Sequence, residues 1–181
     1  MKPLYARKKI VPYQSLIDLV EETSGQPFVA AGTYNNRNGS GINTDTRSTS
    51  VKTPKPEEWF DINGPILSML ESFGEDPREF YVKEYNLLEY QKFDKFVKHR
   101  DRIVTGDGKP EREYSTSTII QMSDNLRGGR FCIWSEDGYS DALDLEVGET
   151  VMFSSDTQHE ITEVEEGVRL VLVAWIYKKT S

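Results

Sequence analysis

The rhythm of apolar and polar positions changes near residue 79. Upstream, apolar residues recur at helical spacing in two places. In residues 13–23 (YQSLIDLVEET), Leu16, Leu19 and Val20 share one face, and Ser15 is placed to cap the first turn. A second helix is expected over residues 56–74 (PEEWFDINGPILSMLESFG), broken or bent at Gly64-Pro65. Between them, residues 33–50 (TYNNRNGSGINTDTRSTS) are polar and rich in Gly and Asn, and read as a long mobile loop. Downstream the pattern is that of strands: EFYVKEYNLLEYQ (79–91), KFVKHRDRIV (95–104), EYSTSTIIQMS (113–123), GRFCIW (129–134), DALDLEV (141–147), ETVMFSS (149–155) and VRLVLVAWIY (168–177). They are rich in β-branched and aromatic residues, and turn signals at Arg127-Gly128-Gly129, Glu136-Asp137-Gly138 and Gly148-Glu149 separate them. Many short strands at even spacing predict an antiparallel sandwich or jelly roll rather than a parallel α/β sheet. The expected fold is therefore mainly β, with N-terminal helices packed on one sheet.

A chain of 181 residues is most simply one domain. Its expected parts are a helical N-terminal support and loop region, 1–78, and a β core, 79–177. The net charge of −8 is spread along the chain and repels phosphate backbones, so nucleic acid is not an expected partner. Arg7-Lys8-Lys9 reads as a solvated terminus. No apolar run is long enough to cross a bilayer, and the N-terminus has no apolar signal core, so a cytoplasmic location is expected. The one cysteine, Cys132, excludes an internal disulfide and reads as a packed core thiol. Asn38-Gly39-Ser40 matches a glycosylation acceptor, which stays idle in a cytoplasmic protein.

There are only two histidines. His99 stands in His99-Arg100-Asp101, and side chains two apart on a strand share a face, so His99 and Asp101 project together. His159 lies sixty residues on, in a turn leading into another strand. Two imidazoles and one carboxylate on one face, with open positions opposite, suit a borderline divalent metal such as non-haem Fe(II). A surface histidine beside an aspartate is the plain alternative. Ten residues after His159 comes Arg169, the one charge in an apolar strand. A buried guanidinium needs a carboxylate, either an internal acid or a bound ligand that it grips with both nitrogens.

The segments LLEYQKFDKFVKHRD, REYSTSTIIQMSDNLRGGRF and LEVGETVMFSSDTQHEITEVEEGVRLVLVAWI resemble the Fe(II)- and 2-oxoglutarate-dependent oxygenases, in their prolyl 4-hydroxylase-like branch. The resemblance covers roughly residues 79–177 and implies a double-stranded β-helix (jelly-roll, cupin-like) core. It implies that His99, Asp101 and His159 are the iron ligands and catalytic centre, and that Arg169 binds the distal carboxylate of 2-oxoglutarate. Tyr90 matches a tyrosine lining the cosubstrate pocket; a half-buried strand tyrosine is the plain alternative. Gln121 stands where many relatives have a tyrosine that helps hold the distal carboxylate. Trp175 matches an aromatic near the active-site mouth; core packing is the plain alternative.

The cofactors so implied are Fe(II), with 2-oxoglutarate and O₂ as cosubstrates and ascorbate as an auxiliary reductant. The reaction would hydroxylate an unactivated C–H bond while 2-oxoglutarate becomes succinate and CO₂. Ligand histidines bind metal only when neutral, so activity should fall at acidic pH. The branch suggests a prolyl residue in a peptide or protein as substrate. The loop 33–50 reads either as a lid over a peptide groove, with Arg47 reaching inward, or as an ordinary surface loop, and Trp134 and Tyr139 either line the opening or cap the hairpin at Asp137-Gly138. The alternatives are an oxygenase of a free amino acid or other small molecule, or a non-catalytic metal-binding jelly-roll sensor. A pure sensor has no use for a dicarboxylate anchor.

Overall fold

The computed structural model describes residues 2–31, 33–35, 39–41, 47–54, 60–102 and 112–179. In chain order these form β1 (Tyr5–Lys9), α1 (Tyr13–Glu22), β2 (Val29–Ala30), β3 (Thr33–Asn35), β4 (Gly39–Gly41), β5 (Arg47–Ser48), β6 (Ser50–Lys52) and α2 (Phe60–Ser68). Two 3-10 turns, Met69–Phe73 and Pro77–Glu79, lead into the β core. That core comprises β7 (Phe80–Tyr90), β8 (Lys95–His99), β9 (Tyr114–Met122), β10 (Arg127–Gly128), β11 (Phe131–Trp134), β12 (Ser140–Leu143), β13 (Glu149–Ser154), β14 (Gln158–Ile161), β15 (Val164–Glu166) and β16 (Arg169–Lys178).

Among the described residues, seven strands build a large sheet in the order β1-β13-β9-β16-β7-β6-β2, and five build a smaller one, β12-β11-β14-β8-β5. The pairs are antiparallel. The sheets face each other as a jelly roll, and alternation along β16 assigns its two faces. Leu172, Ala174 and Ile176 pack outward with Leu16, Leu19, Ile62, Ile66 and Leu70 of the helices. Val171 and Val173 pack inward with Leu88, Phe131, Ile133, Phe153 and Ile161, between the sheets. Arg169 and Trp175 share that inward parity. The helices thus cover one face of the large sheet and leave the other to form the site.

Several expectations need correcting. Ser15 lies inside the first turn of α1, which starts after Pro12 with no side-chain cap; Leu16 and Leu19 hold the helix by burial. α2 runs through Pro65 without a break. Proline costs that helix one hydrogen bond, but Ile62, Ile66, Met69 and Leu70 are all buried, and packing overrides the local penalty. The change of geometry comes instead at Met69, where the helix tightens to 3-10 before Gly74 ends it with φ +74°. Arg7-Lys8-Lys9 is no loose terminus, because β1 pairs with β13 and Arg7 donates to Glu149 at 2.6 Å. The region 1–78 is therefore not only helical: β1, β2 and β6 widen the large sheet and β5 the small one. Where residues 33–50 are described they contain the strands β3 to β6, and the expectations for 36–38 and 42–46, including Asn38, lie outside the described residues. Cys132 has the outward parity of β11 and is half-buried rather than packed in the core. No helix among the described residues is long and apolar enough to cross a membrane.

Candidate metal centre

His99 and His159 face each other as register partners in the β8–β14 ladder. A β-bulge sets up that pairing. His159 opposes His99 while Ile161 opposes Phe96, so β8 spends one residue more than its partner over this stretch. Val97 and Lys98 bulge to the exposed side, and Phe96 and His99 both turn inward. Simple alternation would have put Val97 inward with His99. Asp101 lies beyond the last residue of β8, yet its Oδ1 sits 3.4 Å from His99 Nε2 and its Oδ2 3.5 Å from His159 Nε2. One ligand atom from each residue lies within 4.8 Å of the others.

Backbone carbonyls set the tautomers. His99 Nδ1 donates to Val97 O at 2.7 Å and His159 Nδ1 to Thr157 O at 3.0 Å. A carbonyl can only accept, so each neutral ring carries its proton on Nδ1 and turns the Nε2 lone pair to the site. Aromatic rings hold the imidazoles in place. Phe96 stacks on His99 at 3.5 Å between centroids, and Phe131 and Phe153 flank His159. Burial pushes the His159 imidazole down to about 4, against the pull of Asp101. Burial pushes the Asp101 carboxyl up, but His159, His99 and Arg112 outweigh it and hold the group well below the usual carboxylate range. Two neutral nitrogens and one carboxylate, all available, fit a divalent iron ion.

The triad opens on a narrow cavity of about 30 Å³, lined also by Arg47, Tyr90, Phe96, Val171 and Trp175. Tyr90 is the register partner of Arg169, whose guanidinium carbon lies 5.7 Å from the tyrosine ring centre. Arg169 is 2% exposed. Its Nη1 donates to Gly129 O, its Nε has no acceptor, and no carboxylate pairs with it among the described residues. Of the two partners expected for this buried charge, no internal acid is found among the described residues. Gly129 has to be glycine here: its φ is +60°, and an added Cβ would stand 2.9 Å from Val164 Cγ2 and 3.2 Å from Arg169 Cδ.

Of the other sequence candidates, Arg47 lies in β5 with its guanidinium 4.6 Å over the Phe96 ring, so it borders the triad cavity. Trp175 borders it too. Gln121 pairs through its backbone with Leu170, and its side chain lies outside what the structure describes. Trp134 is not brought to the triad. It has the outward parity of β11 and receives Lys98 Nζ 4.2 Å over its ring, on the far side of the small sheet. Tyr139 sits exposed in the β11–β12 hairpin. Two residues escaped the sequence reading. Phe96 was hidden by the bulge, because it stands three positions from His99. Arg112 places its guanidinium 3.6 Å over the Trp175 ring and donates from Nη1 to the Asp101 carbonyl at 3.1 Å.

Comparison with known proteins agrees with this geometry. Residues 85–177 match the model of the family described as the 2OG-Fe(II) oxygenase superfamily. A PKHD-type hydroxylase of Shewanella sp. (strain MR-7) is 28% identical over 102 residues, which is 55% of this chain and 44% of that protein. The chain thus spans under half the length of that relative. Among solved structures, a Pseudomonas putida prolyl-4-hydroxylase superposes with a TM-score of 0.71 at 17% identity, covering 98% of this chain and 94% of its own. A non-haem α-ketoglutarate-dependent carbocyclase, SnoK from nogalamycin biosynthesis, superposes with the same TM-score at 11% identity, covering 98% and 80%. At such identities the likeness shows the jelly-roll fold and leaves the substrate undetermined.

Proposed function

The chain belongs to the 2OG-Fe(II) oxygenase superfamily, and we propose that within it this protein hydroxylates a prolyl residue of a peptide or protein, with His99, Asp101 and His159 as the iron ligands. The observation that carries the reading is the pairing of two features in one inter-sheet space. The triad cavity is bordered by Val171, Val173 and Trp175 on the inward face of β16, and Arg169, buried and with no acid among the described residues, begins the same strand and lines an adjoining cavity that shares Phe131. A metal-binding sensor would need the first but not the second.

Iron(II), when bound, supplies the activation of O₂ that couples decarboxylation of 2-oxoglutarate to oxidation of a C–H bond. This chain's residues do the rest. His99 and His159 bind as neutral imidazoles whose Nδ1 protons stay on the backbone. Asp101 contributes the one negative ligand. Arg169, steadied by Gly129 O, meets the distal carboxylate with Tyr90 beside it. Phe131, Phe153, Val171 and Val173 keep bulk water from the reacting centre. At the mouth, Arg112 Nε is buried with no acceptor and offers a donor to a substrate oxygen such as a peptide carbonyl. The PKHD-type hydroxylase and the prolyl-4-hydroxylase favour the prolyl reading, and an aromatic wall at Trp175 suits a pyrrolidine ring.

The test is succinate formation in air with Fe(II), 2-oxoglutarate and proline-containing peptides. Wild type should turn over and a peptide should stimulate it, while His99→Ala and Arg169→Ala should not turn over. Succinate that no prolyl peptide stimulates would leave the oxygenase and remove the prolyl substrate.

A further inference from the structure

Asp101 is the one triad member that no sheet holds. The ladder between β8 and β14 fixes the backbones of both histidines. β8 stops at His99, two residues short of the carboxylate. A ligand on an irregular segment is placed less accurately than one on a strand, and metal sites tolerate deviations of only about 0.2 Å. Something other than the ladder must fix Asp101.

The Arg100 and Arg102 side chains reach out to Asp156, and among the described residues two contacts hold the backbone itself. Arg102 N donates to Ser155 O at 3.0 Å, tying the residue after Asp101 to the end of β13. Arg112 Nη1 donates to the carbonyl of Asp101 itself at 3.1 Å. Arg112 is anchored in turn. Its guanidinium carbon lies 3.6 Å over the Trp175 ring, Ser155 Oγ donates to its carbonyl, and the next residue, Glu113, donates its N–H to Ile176 O at 3.0 Å. Trp175 stands in β16, hydrogen-bonded on both sides by β7 and β9. From this chain of contacts we infer that Arg112 is a positioning residue for the carboxylate ligand. It carries the rigidity of the central sheet, through the Trp175 ring, to the backbone of Asp101.

The inference goes beyond the ligand assignment and rests on it. Arg112 meets Asp101 at its backbone carbonyl, and removing a positive charge near the carboxylate favours a bound cation, so a merely structural role would change stability without weakening metal affinity. A role confined to substrate contact would leave metal affinity alone as well. Metal binding without cosubstrate separates these cases.

The experiment is calorimetric titration of the metal-free full chain with Mn(II) at pH 7.5, alongside thermal melts without metal. Arg112→Gln should weaken Mn(II) by about 10- to 100-fold, the usual effect of losing a residue that orients a ligand, while remaining folded. Arg112→Lys, which keeps a donor but loses the flat face, should fall between. Trp175→Phe should bind nearly as wild type, and Trp175→Leu should resemble Arg112→Gln. Affinity of a folded Arg112→Gln within twofold of wild type overturns the inference. If Arg112→Gln does not fold, equal affinities of Trp175→Phe and Trp175→Leu overturn it instead. Wild type that takes up no Mn(II) removes the triad as a metal site, and the proposed function falls with it.

Discussion

In the substitution Arg169→Met, a buried guanidinium is exchanged for an apolar side chain of similar reach. Burial pushes the Arg169 guanidinium from 12.5 down to about 10. At about 1.36 kcal/mol per pH unit, holding that charge in the folded protein costs roughly 3 kcal/mol. Methionine removes this cost but leaves the Gly129 carbonyl without its donor, a loss of about 1 kcal/mol or somewhat more. The variant should therefore be more stable than wild type by about 1–2 kcal/mol, or roughly 3–6 °C for a chain of this size. The pH dependence follows from the sign of the shift. The folded value lies below the unfolded one, so the penalty on wild type is full at neutral pH and is relieved only as pH rises through about 10. Ligand reverses the order. With Mn(II) and 2-oxoglutarate at 100 times its Kd, wild type should gain about 2.7 kcal/mol and the variant nothing from the cosubstrate. Urea unfolding at pH 7.5, with and without 2-oxoglutarate, reads both effects. A ligand-free Arg169→Met that is less stable than wild type by about 1 kcal/mol would refute the reasoning, because the guanidinium would then be satisfied inside the protein.

The His159 imidazole, held near 4 in the fold, titrates at about 6.5 when unfolded. The unfolded chain therefore takes up a proton first, and metal-free stability should be full above about pH 6.5 and fall by up to roughly 3 kcal/mol as pH drops towards 4. Urea midpoints across that window should show the slope in wild type and a flatter one in His159→Gln; equal slopes would contradict it. Gly129→Ala forces a side chain into a left-handed turn against Arg169 and should cost about 1–3 kcal/mol. Its 2-oxoglutarate affinity should drop while Mn(II) affinity holds, as titration with each alone would reveal.

The β core was legible from β-branched and aromatic runs bounded by turn signals. β13 and β16 are buried on both faces, as near-continuous apolar runs of central strands are. The triad was legible for a different reason: two histidines leave few ways to build a metal site. Arg169 was legible as a charge in an apolar run. What escaped lay in features that alternation does not encode. The bulge in β8 puts Phe96 beside His99, and β1 is a strand although its residues are mostly charged, since its partner β13 supplies the pairing. For Trp134 the sequence leaves the opening and the hairpin both open, because an aromatic in a strand gives no hint of which face it occupies; the structure pairs it with Ser140 beside the hairpin. Arg112 follows seven residues, 105–111, with no strand pattern in the sequence, and its role depends on Trp175, more than sixty positions away.

β16 also works as a measuring rod. Arg169 and Trp175 are six residues apart, and at about 3.3 Å per residue they mark a depth of roughly 20 Å along the inward face. The proposed anchor for the cosubstrate and the proposed wall of the mouth are thus spaced by one strand's pitch and not by two loops. A single residue gained or lost between them would shorten or lengthen the rod by only about one step. It would also turn Arg169 towards the helices and bring Leu170 inward, emptying the site and burying a charge in the helix contact at once. Length variation among relatives should therefore fall in hairpins such as 135–139 and spare the interval from 169 to 175.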